Sequence, residues 1–171
     1  MTDRFRLVSD RSGSAAVEMA LVMPILLALA LGAVDLGNFF LSEHVVQKAV
    51  RDASRYGARL SMTNYDCSGA TINSTAAQQI RNVARTGDPG GSAPRLNGWV
   101  DGNTTVTLVC DTDTTHTYVN KGLYQDFPDG GAVPVVTVSA TVTYNSFFGA
   151  LGLGRLTANL NAQSQAAVIG A

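Results

Sequence analysis

The sequence predicts an α+β fold in which a long N-terminal helix packs on a small antiparallel β-sheet of three or four strands. An apolar run of helical length lies near the start of the chain, and an amphipathic stretch follows it directly. The C-terminal part is rich in valine and threonine, which alternate there as in half-buried strands. Beyond the long helix, about 110 residues remain, which is a common size for one small domain.

The apolar run extends from Ser14 to Val34, and Glu18 carries the only formal charge among these 21 residues. A helix of that length spans roughly 30 Å, the thickness of the hydrocarbon core of a bilayer. The run therefore predicts a membrane-spanning helix. A carboxylate in hydrocarbon costs on the order of a few kcal/mol, so we expect Glu18 to have a partner.

Basic residues before the run predict its orientation. Arg4, Arg6 and Arg11 precede it, and such residues resist translocation, which favours a cytoplasmic N-terminus and an exported C-terminal part. A secretory signal peptide is the alternative, because 28–30 (ALA) and 30–32 (ALG) fit its small-x-small cleavage pattern. The helical pattern continues beyond the apolar run without a break, which favours the anchor.

Pro24 lies inside the predicted span. It has no N–H and crowds the carbonyl of Ala20, four residues earlier. A tolerated kink is the simpler interpretation, because such prolines are common in membrane helices. The alternative is a weak point at which the helix bends or melts locally.

After Val34 the pattern becomes amphipathic, and one helix is predicted from about Ser14 to about Leu60. Asp35 is interpreted as an interfacial charge at the outer membrane edge. The positions predicted to form the apolar face are Leu36, Phe39, Phe40, Val46, Ala49, Val50, Ala53, Tyr56, Gly57 and Leu60.

The other face of this stretch is charged. Lys48 and Asp52, and Asp52 and Arg55, have spacings that support a helix modestly when the side chains pair. Arg51, Arg55 and Arg59 form a basic row at intervals of four residues. A solvated face is the simpler interpretation, and contact with an acidic neighbour or with lipid headgroups is the alternative.

A second, short helix is predicted after a polar turn. Ser74 or Thr75 is the expected N-cap, and Gln78 completes a capping box with Thr75. The glycine-rich stretch 87–91 is expected to end the helix.

Three strands are predicted in the remainder of the chain. Val100–Cys110 is rich in β-branched residues, and Ala132–Tyr144 alternates most clearly between apolar and polar side chains. Leu156–Ile169 alternates more weakly and is expected to pair with the preceding strand as a hairpin. A long polar connection occupies 111–131.

The two cysteines, Cys67 and Cys110, both follow the apolar run. In an exported domain a disulfide is the default expectation, and two buried free thiols are the alternative. The bond would tie the loop after the long helix to the end of the first predicted strand.

The sequence predicts neither a catalytic site nor a cofactor. His44 and His116 lie in different predicted elements and are interpreted as satisfied or solvated side chains. Asp111, Asp113 and their loop lack the ligand spacing of an EF-hand, so no metal is predicted. The net charge of −1 gives no reason to expect a nucleic-acid partner.

The N-terminal region resembles the TadE-like pseudopilins of tight-adherence (Tad/Flp) type IV pilus systems, within the wider group of pilin-like proteins. The resemblance rests on Arg11–Glu18 (RSGSAAVE), Ala20–Leu27 (ALVMPILL), Asp35–Gly37 (DLG) and Ala53–Arg59 (ASRYGAR), in that order and spacing. It is good over about 11–59 and only architectural beyond. It implies a pilin-like fold.

The resemblance also implies processing. In that family a membrane aspartyl peptidase cuts after the leader glycine, here between Gly13 and Ser14, which makes Glu18 the fifth residue of the mature chain. Glu18 is then expected to pair with the N-terminal ammonium of a neighbouring subunit and to fix axial register. Met19 stands where family members often have an aromatic residue, and the chain is too long for a Flp-type major pilin. Both differences favour a minor pilin.

The domain organisation implied is a cytoplasmic leader at 1–13, a transmembrane helix at 14–34, its amphipathic continuation at 35–62 and an extracytoplasmic α+β domain at 63–171. The expected location is the inner membrane, with possible incorporation into an extracellular pilus. The expected partners are prepilin peptidase, other pilins and Tad assembly-platform proteins. The alternative function is an uncleaved, single-pass anchored domain that binds a ligand outside the cell.

Overall fold

The computed structural model describes residues 12–111, 132–146, 148 and 157–170. It confirms the predicted α+β fold, with a long N-terminal helix packed on a small antiparallel sheet. The chain forms two compact units that divide between Phe39 and Phe40. The elements in these ranges are α1 (Ser12–Arg59), β1 (Tyr65–Asp66), β2 (Thr71–Ile72), α2 (Ser74–Thr86), β3 (Thr104–Asp111), β4 (Val133–Asn145) and β5 (Thr157–Ala167).

Helix α1 has 48 residues and continues through Pro24, close to the predicted span. Its most apolar window has a mean hydropathy of 2.3, and the helix is long and apolar enough to cross a membrane. Every side chain from Gly13 to Ala30 is exposed in the single chain. These features suggest a membrane anchor.

The second half of α1 buries an apolar face. Val46, Ala49, Val50 and Ala53 are completely or almost completely buried, as the spacing predicts. The prediction was wrong for Leu36 and Phe40, which are 56% and 51% exposed. Three-to-four spacing identifies one side of a helix, but it does not say how far along the helix that side is covered.

At Gly57 the backbone of α1 packs closely against α2 and β4. A Cβ added there would lie 3.0 Å from Ile80 Cδ1 on α2 and 3.3 Å from Val136 Cγ1 on β4. The hydroxyls of Ser54 and Ser164 also lie 2.9 Å apart, which links α1 to β5. The absence of a side chain at Gly57 therefore allows the helix backbone to pack directly on its neighbours.

Helix α2 begins one residue away from the predicted cap. Asn73 is the N-cap, and its side chain accepts a hydrogen bond from the backbone N–H of Thr75 at 2.9 Å. The capping box of Thr75 and Gln78 is not formed, because the asparagine carbonyl already accepts at the helix start. Gln78 instead donates to Asn82 and Asp101.

The end of α2 follows the sequence pattern. Gly87 is the C-cap with a φ of 91°, a left-handed conformation that glycine adopts at low cost. Its N–H donates to the carbonyl of Val83 at 2.9 Å. The predicted stop at 87–91 is confirmed.

The main sheet has the strand order β3-β4-β5, and both pairs are antiparallel. The predicted hairpin pairing of the last two strands is confirmed, with Ala140 opposite Ala162. Strand β3, which was predicted to begin at Val100, begins at Thr104 instead, because Asp101–Asn103 forms a 3-10 turn before it. Leu156 and most of the connection 111–131 lie outside the described residues.

The two faces of the sheet differ in polarity, as the alternation of apolar and polar residues in β4 predicts. The inward side chains of that strand are buried, and they are Val136, Val138, Ala140, Val142 and Tyr144. The outward side is lined largely by hydroxyls and amides, and Thr141 donates to Asn161 across the strands at 2.9 Å.

The buried side chain of Tyr65 makes the stability of the fold depend on pH. Its side chain is only 6% exposed, and its hydroxyl donates to the backbone carbonyl of Gly57. Burial, with a smaller effect of Tyr56, raises the pKa of Tyr65 to about 12. The folded protein thus favours the neutral phenol, whereas the unfolded chain loses that proton near pH 10.

We therefore expect the free energy of unfolding to fall between about pH 10 and pH 12, by no more than about 1.4 kcal/mol per pH unit for this group. Urea unfolding of the detergent-solubilised full chain at several pH values measures the slope. Tyr65→Phe, which has no proton to lose, is expected to show a shallower decline. Parallel pH profiles for the two proteins would contradict the assignment.

Candidate processing junction and assembly surface

The predicted cleavage site, Gly13–Ser14, lies in the first turn of α1, which begins at Ser12. A Cβ added to Gly13 would have no atom within 4 Å, and Ser14 is exposed. The first N–H groups of a helix have no intrahelical acceptor, so this turn unwinds at low cost. The leader arginines before it lie outside the described residues.

Glu18 is exposed on the same helix, one turn after Ser14. It has no ion pair within the part of the chain that the structure describes. Its carboxylate is therefore open to a partner beyond the described residues. The predicted roles of Gly13, Ser14 and Glu18 stay predictions.

An apolar surface surrounds Glu18. The large apolar side chains there are between 46% and 70% exposed. An apolar surface of this extent is expected to contact lipid or other helices. Its members are Val17, Met19, Leu21, Val22, Met23, Ile25, Leu26, Leu27 and Leu29.

Asp35 is buried in the single chain. Its predicted place at the outer membrane edge stays a prediction, but the residue is only 8% exposed and takes part in a polar or electrostatic interaction. Its neighbours Val34 and Leu36 are exposed. The sequence pattern does not reveal this burial, because an aspartate has the same hydropathy value whether its side chain is exposed or buried in the folded chain.

The basic row is exposed as predicted. Arg51, Arg55 and Arg59 are all exposed, but among the described residues Asp52 does not form the helical ion pairs with Lys48 and Arg55. The carboxylate of Asp52 instead lies 3.6 Å from Nη1 of Arg95, which arrives from the segment after α2. Local spacing could not indicate this distant partner.

The predicted disulfide between Cys67 and Cys110 is confirmed, with their Cα atoms 5.7 Å apart. It joins the turn between β1 and β2 to the end of β3. Next to it, hydrogen bonds from the side chain and backbone of Ser68 lower the pKa of Asp66. The Asp66 carboxylate orders this turn by accepting hydrogen bonds from the Ser68 hydroxyl and backbone N–H.

The described residues contain no group of three or more His, Cys, Asp or Glu side chains that could hold a metal ion. His44 is exposed on α1, whereas His116 and Asp113 lie outside the described ranges. A shallow groove on the sheet, at strands β4 and β5, is lined by Ser139, Ala140, Thr141, Asn161, Ala162 and Gln163. The hydroxyl and amide side chains among them offer hydrogen bonds but no acid, base or activated nucleophile.

Comparison with known proteins gives one match. The family model described as TadE-like protein matches residues 13–55, all of them within α1. No curated protein and no solved structure matches the chain. The matched segment contains the junction, Glu18, the exposed apolar surface and the first two arginines of the basic row.

Proposed function

We propose, from the match of residues 13–55 to the family model described as TadE-like protein, that this chain takes part in assembling a tight-adherence type IV pilus as a minor pilin or pseudopilin. Family membership supports a Tad pilus-related minor pilin role and an association with pilus components and membrane. The TadE-like family is structural and non-enzymatic, which supports a role in assembly.

One observation carries the proposal: the family match includes a helix segment whose large apolar side chains are exposed in the part of the chain that the structure describes. From Gly13 to Ala30 every side chain is exposed. Such a segment is stable in lipid, and it is also suited to packing among other helices in a filament. A protein that passes from membrane to filament needs a surface compatible with both environments.

Processing by a prepilin peptidase after Gly13 is part of the proposal. The glycine offers no side chain to obstruct an active site, and the first helical turn unwinds easily. Cleavage would create an ammonium on Ser14. Glu18 of one subunit would then pair with that ammonium on a neighbour, so that each compensates the other in an apolar environment.

The proposed topology has a cytoplasmic N-terminus, a span at 14–34 in the inner membrane and an extracytoplasmic domain at 63–171. The arginines before the span support this orientation. The disulfide between Cys67 and Cys110 supports export, because such bonds persist in oxidising compartments. Entry of the protein into the extracellular pilus is compatible with this topology.

The N-terminal sequence of the protein isolated from its native membranes tests the proposal. A start at Ser14 supports processing by a prepilin-type peptidase. A start at Met1 or Thr2 overturns it and favours an uncleaved, membrane-anchored binding domain. A start just beyond Ala30 would identify a secretory signal peptide instead.

Replacing Glu18 with alanine is expected to leave processing at Ser14 unchanged and to reduce the number of pili per cell by about tenfold or more. Loss of one partner of a buried charge pair typically costs 3–5 kcal/mol, and tenfold corresponds to about 1.4 kcal/mol. Electron microscopy of pili, with N-terminal sequencing of the same cells, measures both properties.

Glu18→Gln is the matched control for size and polarity. It is expected to fail like the alanine variant, because it lacks the charge that pairs with the ammonium. Normal piliation in either variant would defeat the pairing hypothesis.

A further inference from the structure

The exposed side of α1 carries a line of cations, which we call the basic stripe: Lys48, Arg51, Arg55 and Arg59. All four are exposed. At 100° per residue their spacing places them within an arc of about 80°. They form one continuous line along the helix.

The basic stripe points away from the core. Val46, Ala49, Val50 and Ala53 lie on the opposite side of the helix and are buried. The four cations are thus the most exposed residues of this stretch of helix, whereas its apolar face is already buried.

No nearby acid neutralises the stripe. Among the described residues, none of its four cations has an ion pair. Asp52 lies beside the stripe but pairs with Arg95 at 3.6 Å. Glu43 precedes it and accepts a hydrogen bond from Gln47 at 3.3 Å.

The stripe also differs from the rest of the chain in charge. The chain has 12 lysines and arginines against 13 acidic residues, and four of those 12 lie within the basic stripe. The remainder therefore has 8 basic and 13 acidic side chains, a net charge of −5. A general basic composition does not account for this line of cations.

The charge and the shape of the basic stripe together indicate which kind of partner binds it. Two copies placed stripe to stripe would repel each other, because like charges would meet along the whole contact. A lipid-binding helix inserts an apolar face beside its cations, but the apolar face here is buried against the protein. A second helix with acids at spacings of three and four residues matches a straight line of cations roughly 17 Å long.

We propose that the basic stripe is the docking surface for an acidic helix of a different pilin-like subunit. The inference rests on the proposed function for the class of partner, and it adds which chemistry that partner presents. It makes the contact heteromeric, in keeping with a minor subunit rather than a self-associating one.

A peptide probe tests the recognition directly. The full chain in neutral detergent is titrated with a labelled, stably helical peptide that carries four glutamates at the stripe's own spacing. Replacing Arg51 and Arg55 together with glutamine is expected to weaken binding about tenfold. Raising the salt concentration from 50 to 300 mM is expected to weaken binding to the unmodified protein.

The matched control replaces Arg81 and Arg85 on α2 with glutamine, which changes the net charge equally but away from the stripe. That control is expected to change binding less than twofold. Equal loss in both variants would overturn the proposal, since only net charge would matter. Equal binding of a helical peptide with glutamines, or of unstructured polyglutamate of the same charge, would also overturn it.

Two further measurements exclude the other occupants. Sedimentation of the full chain in detergent is expected to show no stripe-dependent dimer, and such a dimer would favour a second copy instead. Vesicles of phosphatidylglycerol are expected to recruit wild type and the Arg51/Arg55 glutamine variant alike. Stripe-dependent recruitment to vesicles without peptide binding would assign the surface to lipid headgroups.

Cells separate this inference from the proposed function. A variant with Arg51→Glu and Arg55→Glu is expected to reach the membrane and start at Ser14, yet to support at least tenfold fewer pili. Normal piliation with normal processing would overturn the docking proposal and leave the pilin function standing. If the wild-type chain does not start at Ser14, the proposed pilin function is overturned. The peptide titration would still test whether the basic stripe binds an acidic helix.

Discussion

Replacing Trp99 with alanine is expected to destabilise the unit that contains it by about 3–5 kcal/mol, the usual cost of removing a buried aromatic side chain. Trp99 is 1% exposed and is the largest of the fully buried side chains in the described residues. Its indole Nε1–H donates to Oγ1 of Thr104 at 2.9 Å. The substitution leaves a large cavity between the segment after α2 and the start of β3.

Amide hydrogen exchange along β4 in the detergent-solubilised chain is a suitable measurement. Circular dichroism would be dominated by α1, and the substitution removes the one tryptophan that fluorescence could report. Protection of the β4 amides is expected to fall in step with stability. Unchanged protection would show that Trp99 does not stabilise the sheet.

A milder pair of variants keeps this prediction measurable if the alanine variant fails to fold. Thr104→Val preserves the shape of the side chain but leaves the buried indole N–H without an acceptor, which costs about 1–3 kcal/mol. Trp99→Phe removes that donor, so adding Thr104→Val to it is expected to cost less than adding it to the wild type. Additive losses would show that the two side chains are not coupled.

Removal of the disulfide is expected to cost about 4 kcal/mol of stability. Cys67 and Cys110 are separated by 43 positions, and the chain-entropy model assigns a loop of that length about this value. The bond restricts the unfolded chain, and in the folded protein it holds the β1–β2 turn against β3. Urea unfolding of the double variant Cys67→Ser, Cys110→Ser measures the effect as a lower midpoint.

Wild-type protein treated with a reductant is the control, and its midpoint is expected to approach that of the double variant. The slope of free energy against urea is expected to rise in both, because the unfolded chain becomes less compact without the bond. A midpoint equal to that of the oxidised protein would show that the bond adds no stability.

The local periodicity of the sequence predicted the long helix and the buried face of the main strand. The length and hydropathy of the first 60 residues predicted one helix, since a run of apolar residues followed by three-to-four spacing favours no other regular structure. The alternation at Ala132–Tyr144 predicted which face of β4 is buried. Two cysteines allow one intramolecular pairing, so the disulfide followed from the expectation of export.

Only the tertiary structure decided the contacts between distant parts of the chain. Asp52 pairs with Arg95 rather than with its helical neighbours, and Ser54 meets Ser164 across the interface of α1 with β5. The burial of Trp99, whose indole donates to Thr104, belongs to the same class. A periodic pattern records which side of an element is apolar, because that property repeats along the chain. It does not record which distant side chain will lie opposite, because that depends on how the folded elements pack.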